Sequence, residues 1–253
     1  MEAIYSQLTE RARRLLASKQ HCHPAERTLI LIAGPPGSGK STVADQVVRR
    51  LNTVSAPPSP APTSRGSEAT PLAVVVRMDG YHFTRAQLNT FHNAREAHAR
   101  RGAAWTFDAA AVLGLFEQLG SSLHSENCHG AVIRSDNADI YVPTFDHAIK
   151  DPVADGAVIC RDTALVIMEG NWLLYDEEPW RQFSTLVDES WFIDVDANVA
   201  RRRIAQRHLE SGIESTLEAA LARVDSNDLP NGEEVRTKLV TPTVRVLSVD
   251  ESS

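Results

Sequence analysis

The stretch GPPGSGKS, residues 34–41, sets glycines, a lysine and a hydroxyl in the spacing G-x-x-x-x-G-K-[ST]. Gly34, Gly37 and Gly39 let the backbone curl tightly, so that successive N–H groups point inward at phosphate oxygens. Lys40 brings a point charge to the β- and γ-phosphates, and the Ser41 hydroxyl is spaced to ligate Mg²⁺. Pro35, Pro36, Ser38 and Thr42 complete the loop and the start of a helix whose N-terminal dipole favours an anion. Two acids follow apolar runs elsewhere: Asp79 in VVVRMDGYHF (74–83) and Glu169 in VIMEGNW (166–172). Phosphoryl transfer needs positioning, charge neutralisation and a base within reach of the nucleophile. A strand-end carboxylate beside a phosphate loop can serve as that base or hold the metal. On sequence alone the two acids can exchange these roles, and either can simply cap a turn.

The elements that must position these groups are legible as apolar runs. TLILIAG (28–34) enters the loop and STVADQVVRRLN (41–52) leaves it as a helix. AVVVRMDG (73–80), ALVIMEG (164–170), SWFIDVD (190–196) and VRVLSVD (244–250) read as four further strands. Continuous Val/Ile/Leu runs separated by helical stretches predict a mainly parallel five-stranded sheet covered on both faces, an α/β three-layer sandwich. Ligands gather at the carboxyl ends of such strands, where Asp79 and Glu169 fall; the strand of Asp79 is expected beside the strand of the phosphate loop. Residues 55–71, rich in Pro, Ser, Ala and Thr, read as a disordered insertion that cannot bury enough surface to offset its ordering entropy. The stretch from about 84 to 160 reads as irregular and as the carrier of substrate contacts. Ile4, Leu8, Ala12, Leu15 and Leu16 share one face of an N-terminal helix, so residues 1–27 are expected to form a docked helix and linker ahead of a domain over 28–253.

Composition bounds the partners. The net charge of −7 argues against nucleic acid as a bulk partner, since a polyanion calls for a basic footprint. No apolar run approaches the ~20 residues that span a bilayer. Cys22, Cys128 and Cys160 form an odd set without paired spacing, which suits a reducing, cytoplasmic setting. HCH at 21–23 crowds three possible ligands together with no second cluster, and reads as an exposed linker rather than a metal clip.

Taken together, AGPPGSGKST (33–42), MDGYHF (78–83), RRGAAWTFD (100–108), PTFDHAIKDPV (143–153), MEGNWLL (168–174), WFIDVD (191–196), ARRRIAQRH (200–208) and NDLPNG (227–232) resemble the phosphoribulokinase/uridine kinase family of P-loop kinases, in the family's order. The resemblance spans about residues 28 to 250 and extends to bacterial pantothenate kinase. It implies Asp79 as the base that takes the acceptor proton and Glu169, with Ser41, as the holder of Mg²⁺. It implies a small lid over about 197–232 whose Arg203 and Arg207, spaced i, i+4, close on the transferring phosphates. Asp146 and His147 would meet the acceptor hydroxyls, while Tyr81 and His82 shape the acceptor pocket. Arg101 would meet a substrate anion or pair with Asp108, and NDLPNG would be a loop near the nucleobase. The expectation is an ATP- and Mg²⁺-dependent kinase, monomeric or homodimeric, acting on a hydroxyl of a nucleoside, sugar or pantothenate-like compound. A nucleotide-binding regulator that has lost phosphotransfer is the competing reading.

Overall fold

The computed structural model describes residues 1–55, 70–120 and 138–249. In chain order the elements are α1 (Glu2–Cys22), β1 (Thr28–Ala33), α2 (Lys40–Ser55), β2 (Ala73–Arg77), α3 (Arg85–Leu88), α4 (Ala94–Ala99), α5 (Ala109–Gly120), β3 (Ile140–Asp146) and β4 (Asp151–Ile159). They continue with β5 (Leu165–Gly170), β6 (Glu189–Val195), α6 (Ala197–Glu210), α7 (Leu217–Arg223), α8 (Leu229–Thr237) and β7 (Val244–Ser248). Five strands pair in the order β2-β5-β1-β6-β7, and every pairing is parallel.

β1 and β5 are buried at all six positions, which is why their sequences are unbroken apolar runs rather than alternating ones. Leu29 and Leu31 face a core shared with Met168, Phe192 and the α5 residues Val112, Leu115 and Phe116. Ile30 and Ile32 face the opposite core, with Ile167, Trp191, Val43, Val47 and the α1 residues Leu8, Ala12 and Leu16. The N-terminal helix is thus integral to one face of the sheet. Arg11 pairs with Glu189 at 2.7 Å and Lys19 with Asp188 at 2.7 Å, which fix its direction across the strand ends.

β2 lies at the sheet edge, with β5 between it and β1. This corrects the expected adjacency of the Asp79 strand and the phosphate-loop strand. The fully buried β5 takes the central place, whereas β2 keeps half-buried valines and ends on the exposed Arg77, as suits an edge.

The stretch 84–160 is more ordered than its sequence suggests. It holds α3, α4, α5 and an antiparallel hairpin of β3 and β4. The hairpin is missed because its strands carry a bulge between Val142 and Thr144 and a mostly exposed face, so no clean alternation shows. The Pro/Ser-rich insertion lies outside the described residues between 56 and 69, and Cys128 lies outside them as well. Among the described residues no helix is long and apolar enough to cross a membrane.

Candidate active site

Strand register places the two acids. Glu169 pairs with Ile32 on one side and Arg77 on the other, so it stands between the end of β1 and the end of β2. One residue past β1 begins the phosphate loop; past β2 comes a 3₁₀ turn, Met78–Tyr81, that carries Asp79. The carboxyl ends of three strands therefore converge on one cleft. It has a volume of about 220 Å³, and Lys40, Ser41, Asp79, Glu169, Asn171 and Arg207 are among its lining residues.

The loop is held from both sides. Gly37 and Gly39 sit at φ of +76° and +83°, the left-handed region where a side chain is costly. A Cβ on Gly37 would also lie 3.0 Å from Ile204 and 3.1 Å from Ala200 of α6, so that helix rests directly on the turn. Gly34 tolerates no side chain because the Ile193 carbonyl would be 2.3 Å from it. Pro35 and Pro36 pack against Gly232 of α8, which Arg236 anchors to the sheet through Asp194 at 2.9 Å. Pro36 reaches the cleft, Ser38 is fully buried, and Thr42 is exposed on the first turn of α2.

Within the cleft the Ser41 hydroxyl donates to Glu169 Oε1 at 2.9 Å, and Arg77 Nε lies 3.7 Å from the same oxygen. Burial pushes the Glu169 carboxyl above its usual range; the Lys40 ammonium opposes that shift and the Asp79 charge adds to it. Desolvation lowers the pKa of Lys40, against the pull of Glu169 and Asp79. The Asp79 carboxylate accepts no hydrogen bond among the described residues. Two carboxylates and a hydroxyl thus face one another with a single lysine between them, a donor set that fits a hard divalent cation.

The sequence-derived candidates divide clearly. His82 and Arg101 line this cleft and also a second cavity of about 360 Å³ that opens beside it. His82 Nδ1 sits 2.8 Å from the Asp79 carbonyl, its ring is 3.9 Å from that of Phe107, and burial pushes its pKa down. Arg101 pairs with Asp151 at 2.7 Å rather than with Asp108, whose side chain accepts from Ala111 N–H at the start of α5. His147 lines the second cavity, but Asp146 does not: its carboxylate accepts from the Ala148 N–H at 2.7 Å and caps the hairpin turn. Tyr81 is buried in the core under the sheet, 5% exposed, and meets neither cavity.

The lid segment is three helices. Arg207 lines the cleft, whereas Arg203, one turn back, donates to the Gly37 carbonyl at 3.2 Å and Ser248 Oγ at 3.1 Å. It braces the loop from outside. Arg201 is tied to Asp225 at 2.6 Å and 2.7 Å. NDLPNG is not a loop: it runs through a π-helical turn, Val224–Asp228, into α8, since Pro230 falls in the first turn of the helix where its missing N–H costs nothing.

Sequence reading missed Asn171, His208, Asn227 and Asp228, all in the cleft lining. His208 Nδ1, Asn171 Oδ1, Asn227 Oδ1 and Asp228 Oδ2 are buried without a hydrogen-bond partner among the described residues. Asn171 stood beside Glu169 in a quoted motif, and Asn227 and Asp228 open NDLPNG; only His208 lacked a signal beyond its place in the arginine-rich segment.

A Gly-rich loop between the first strand and helix of a parallel sheet, its serine bonded to a strand-end glutamate, defines a P-loop kinase fold. No family model matches the chain. It is 36% identical over 240 residues to a proposed uridine kinase of Schizosaccharomyces pombe, covering 95% of this chain and 88% of that one. It is 36% identical over 188 residues to the ATP-dependent kinase YFH7 of Saccharomyces cerevisiae, which is 67% of this chain and 53% of that protein. The crystal structure of YFH7, described as a proposed P-loop kinase with a circular permutation, superposes with a TM-score of 0.79 at 25% identity, covering 98% of this chain and 99% of that one. A proposed fructose transport system kinase from Silicibacter superposes with a TM-score of 0.67 at 26% identity, over 91% and 98% of the two chains. The chain belongs to the phosphoribulokinase/uridine kinase family of P-loop kinases.

Proposed function

We propose that this chain transfers the γ-phosphoryl group of ATP to a hydroxyl of a small metabolite: a nucleoside, a sugar or a pantothenate-like alcohol. The observation that carries the reading is Asp79, a carboxylate with no hydrogen bond among the described residues, lining the same cleft as Lys40, Ser41 and Glu169. The names of the relatives support ATP as phosphoryl donor. Backbone N–H groups of residues 34–41 would cradle the phosphates, and Lys40 would neutralise charge on the β- and γ-oxygens. Ser41 and Glu169 would hold Mg²⁺, which supplies charge neutralisation across the bridging oxygen. Asp79 accepts the proton of the acceptor hydroxyl as its oxygen bonds to phosphorus and the bond to the ADP oxygen breaks. Arg207 meets the negative charge of the transferring group, and Arg203 holds the loop beneath it.

The test is acceptor-dependent ADP release from Mg²⁺-ATP across a panel of nucleosides, pentoses, hexoses and pantothenate, with Asp79→Asn alongside. A signal that the variant loses supports the reading. Normal turnover by the variant sinks the assignment of the base, and ATP binding without any acceptor-dependent release favours a regulator instead.

A further inference from the structure

The cavity of about 360 Å³ beside the cleft is lined by Arg85, Arg101, Lys150, Arg223, His82, His98 and His147, and by no carboxylate. In a chain of net charge −7 this is a concentrated basic surface. Its acidic neighbours offset only part of it. Asp151 pairs with Arg101 at 2.7 Å, and Glu214 lies 3.7 Å from Arg223. His98 is taken up by Asn89 at 2.7 Å. The side chains of Arg85 and Lys150 have no ion pair or hydrogen bond among the described residues. The cavity shares His82, Arg101, Ile213 and Arg223 with the catalytic cleft, so a ligand can span both. Phe145, 5.5 Å under the Arg101 guanidinium, gives it an apolar side.

From this arrangement we infer that the acceptor is itself an anion, a small hydroxy compound carrying a carboxylate or a phosphate ester, whose charged end sits between Arg85 and Lys150 while its hydroxyl points to Asp79. This rests on the kinase reading and narrows it. A neutral nucleoside or free sugar would leave these two exposed cations to water alone. The backbone of Lys150 is fixed at the hairpin tip, with a φ of +57° and its carbonyl accepting from Arg101 at 2.6 Å, while its side chain is exposed. Lys150 and Arg85, at the start of α3, line the same cavity.

The experiment uses matched acceptors: glycerol with glycerate, ribose with ribose 5-phosphate, pantothenyl alcohol with pantothenate. Turnover is measured with Mg²⁺-ATP, and binding by calorimetry on protein loaded with a non-hydrolysable ATP analogue. Arg85→Ala and Lys150→Asn are compared with wild type, asparagine being chosen because it tolerates the positive φ. Preference for the charged member of a pair supports the proposal, and which pair responds separates carboxylate from phosphate. Each variant should then raise KM for that acceptor about tenfold with kcat largely kept, and the loss should shrink at high salt. Preference for the neutral member, or variants that leave the charged acceptor's KM unchanged, overturns it. Should no acceptor turn over, calorimetry still decides. Anion binding lost in both variants keeps the cavity assignment while the kinase reading falls, and absence of anion binding removes the cavity assignment too.

Discussion

The two ends of the cleft are built differently. At the nucleotide end the phosphate loop is one short run, Gly34 to Ser41, between a buried parallel strand and the helix after it, and Glu169 ends the neighbouring buried strand. At the acceptor end the groups come from the turn before α3, the start of α3, the segment after α4, a hairpin tip and the end of α7, spread from His82 to Arg223. Only a long-range fold brings them together. One end is thus set by local spacing, the other by tertiary packing, and mutations should separate the two.

The largest effect is expected at the nucleotide end. Lys40→Met removes the cation that both Glu169 and Asp79 act on, and transfer should fall by at least about 10³-fold, as for loss of a key charge-stabilising group. Circular dichroism should show the fold intact, since Lys40 contributes a charge to the cleft rather than a packed apolar group. Turnover within tenfold of wild type would mean that the phosphate loop is not the site of transfer.

Gly80→Ala should break the acceptor end alone. A Cβ there would stand 2.3 Å from the Pro143 carbonyl, backbone that cannot yield without moving β3. Displacing the hairpin moves Phe145, His147 and Lys150 together. A shift of the order of 1 Å can cost about 10²-fold in rate. The KM for acceptor should rise and kcat fall, with the KM for ATP unchanged. An equal loss for both substrates would show that the two ends are coupled and the distinction is false.

How much of this could be read in advance follows the same division. The strand runs, the phosphate loop, Asp79, Glu169 and the arginine segment were legible because buried parallel strands are continuous apolar runs and a phosphate loop has fixed spacing. Asp146 looked like an acceptor ligand by its motif, yet its oxygen is used by the Ala148 N–H, a choice that turn geometry makes and spacing does not show. Tyr81 follows Asp79 in the chain but the 3₁₀ turn sends it into the core. Arg85, Lys150 and Arg223 stand alone in sequence, and nothing local marks them as neighbours. The position of β2 at the edge was likewise invisible, since strand order is a property of crossovers rather than of the strands.

Arg203→Gln sharpens the nucleotide side. The side chain donates to the Gly37 carbonyl and to Ser248 Oγ and is not among the cleft's lining residues, so it is a positioning residue. Its loss should raise the KM for ATP by about tenfold, the worth of a charge-assisted hydrogen bond, while the acceptor KM stays put. Arg203→Lys, which keeps the charge, should recover part of the affinity. An unchanged KM for ATP in both variants would free the loop from this brace.

The last effect, on stability rather than on rate, lies where the two ends meet. His208 is buried at 4% exposure on α6, and burial lowers its pKa from 6.5 to about 4, with the Arg223 and Arg207 charges adding to the shift and Glu214 opposing it. Its Nε2 lies 3.7 Å from Asp228, whose own carboxyl is pushed up by burial, with Arg207 and Arg223 pulling it back. Between pH 6.5 and 4 the unfolded chain protonates this histidine and the folded chain does not, so the unfolded state binds more protons and stability falls as pH drops. The contribution is complete above about pH 6.5 and is lost on the way down to about 4; the shift bounds it at about 3 kcal/mol, which solvent screening reduces toward about 2 kcal/mol. Urea unfolding at pH 7, 6 and 5 should show a steeper decline for wild type than for His208→Leu, whose site cannot take up a proton. Asp228 works in the opposite sense, because a carboxyl with a raised folded pKa gains stability as pH falls; Asp228→Asn should therefore steepen the decline. Parallel pH profiles for wild type and His208→Leu would show that the histidine is solvated in solution, and with it that the lid helices leave the junction between the two cavities open to water.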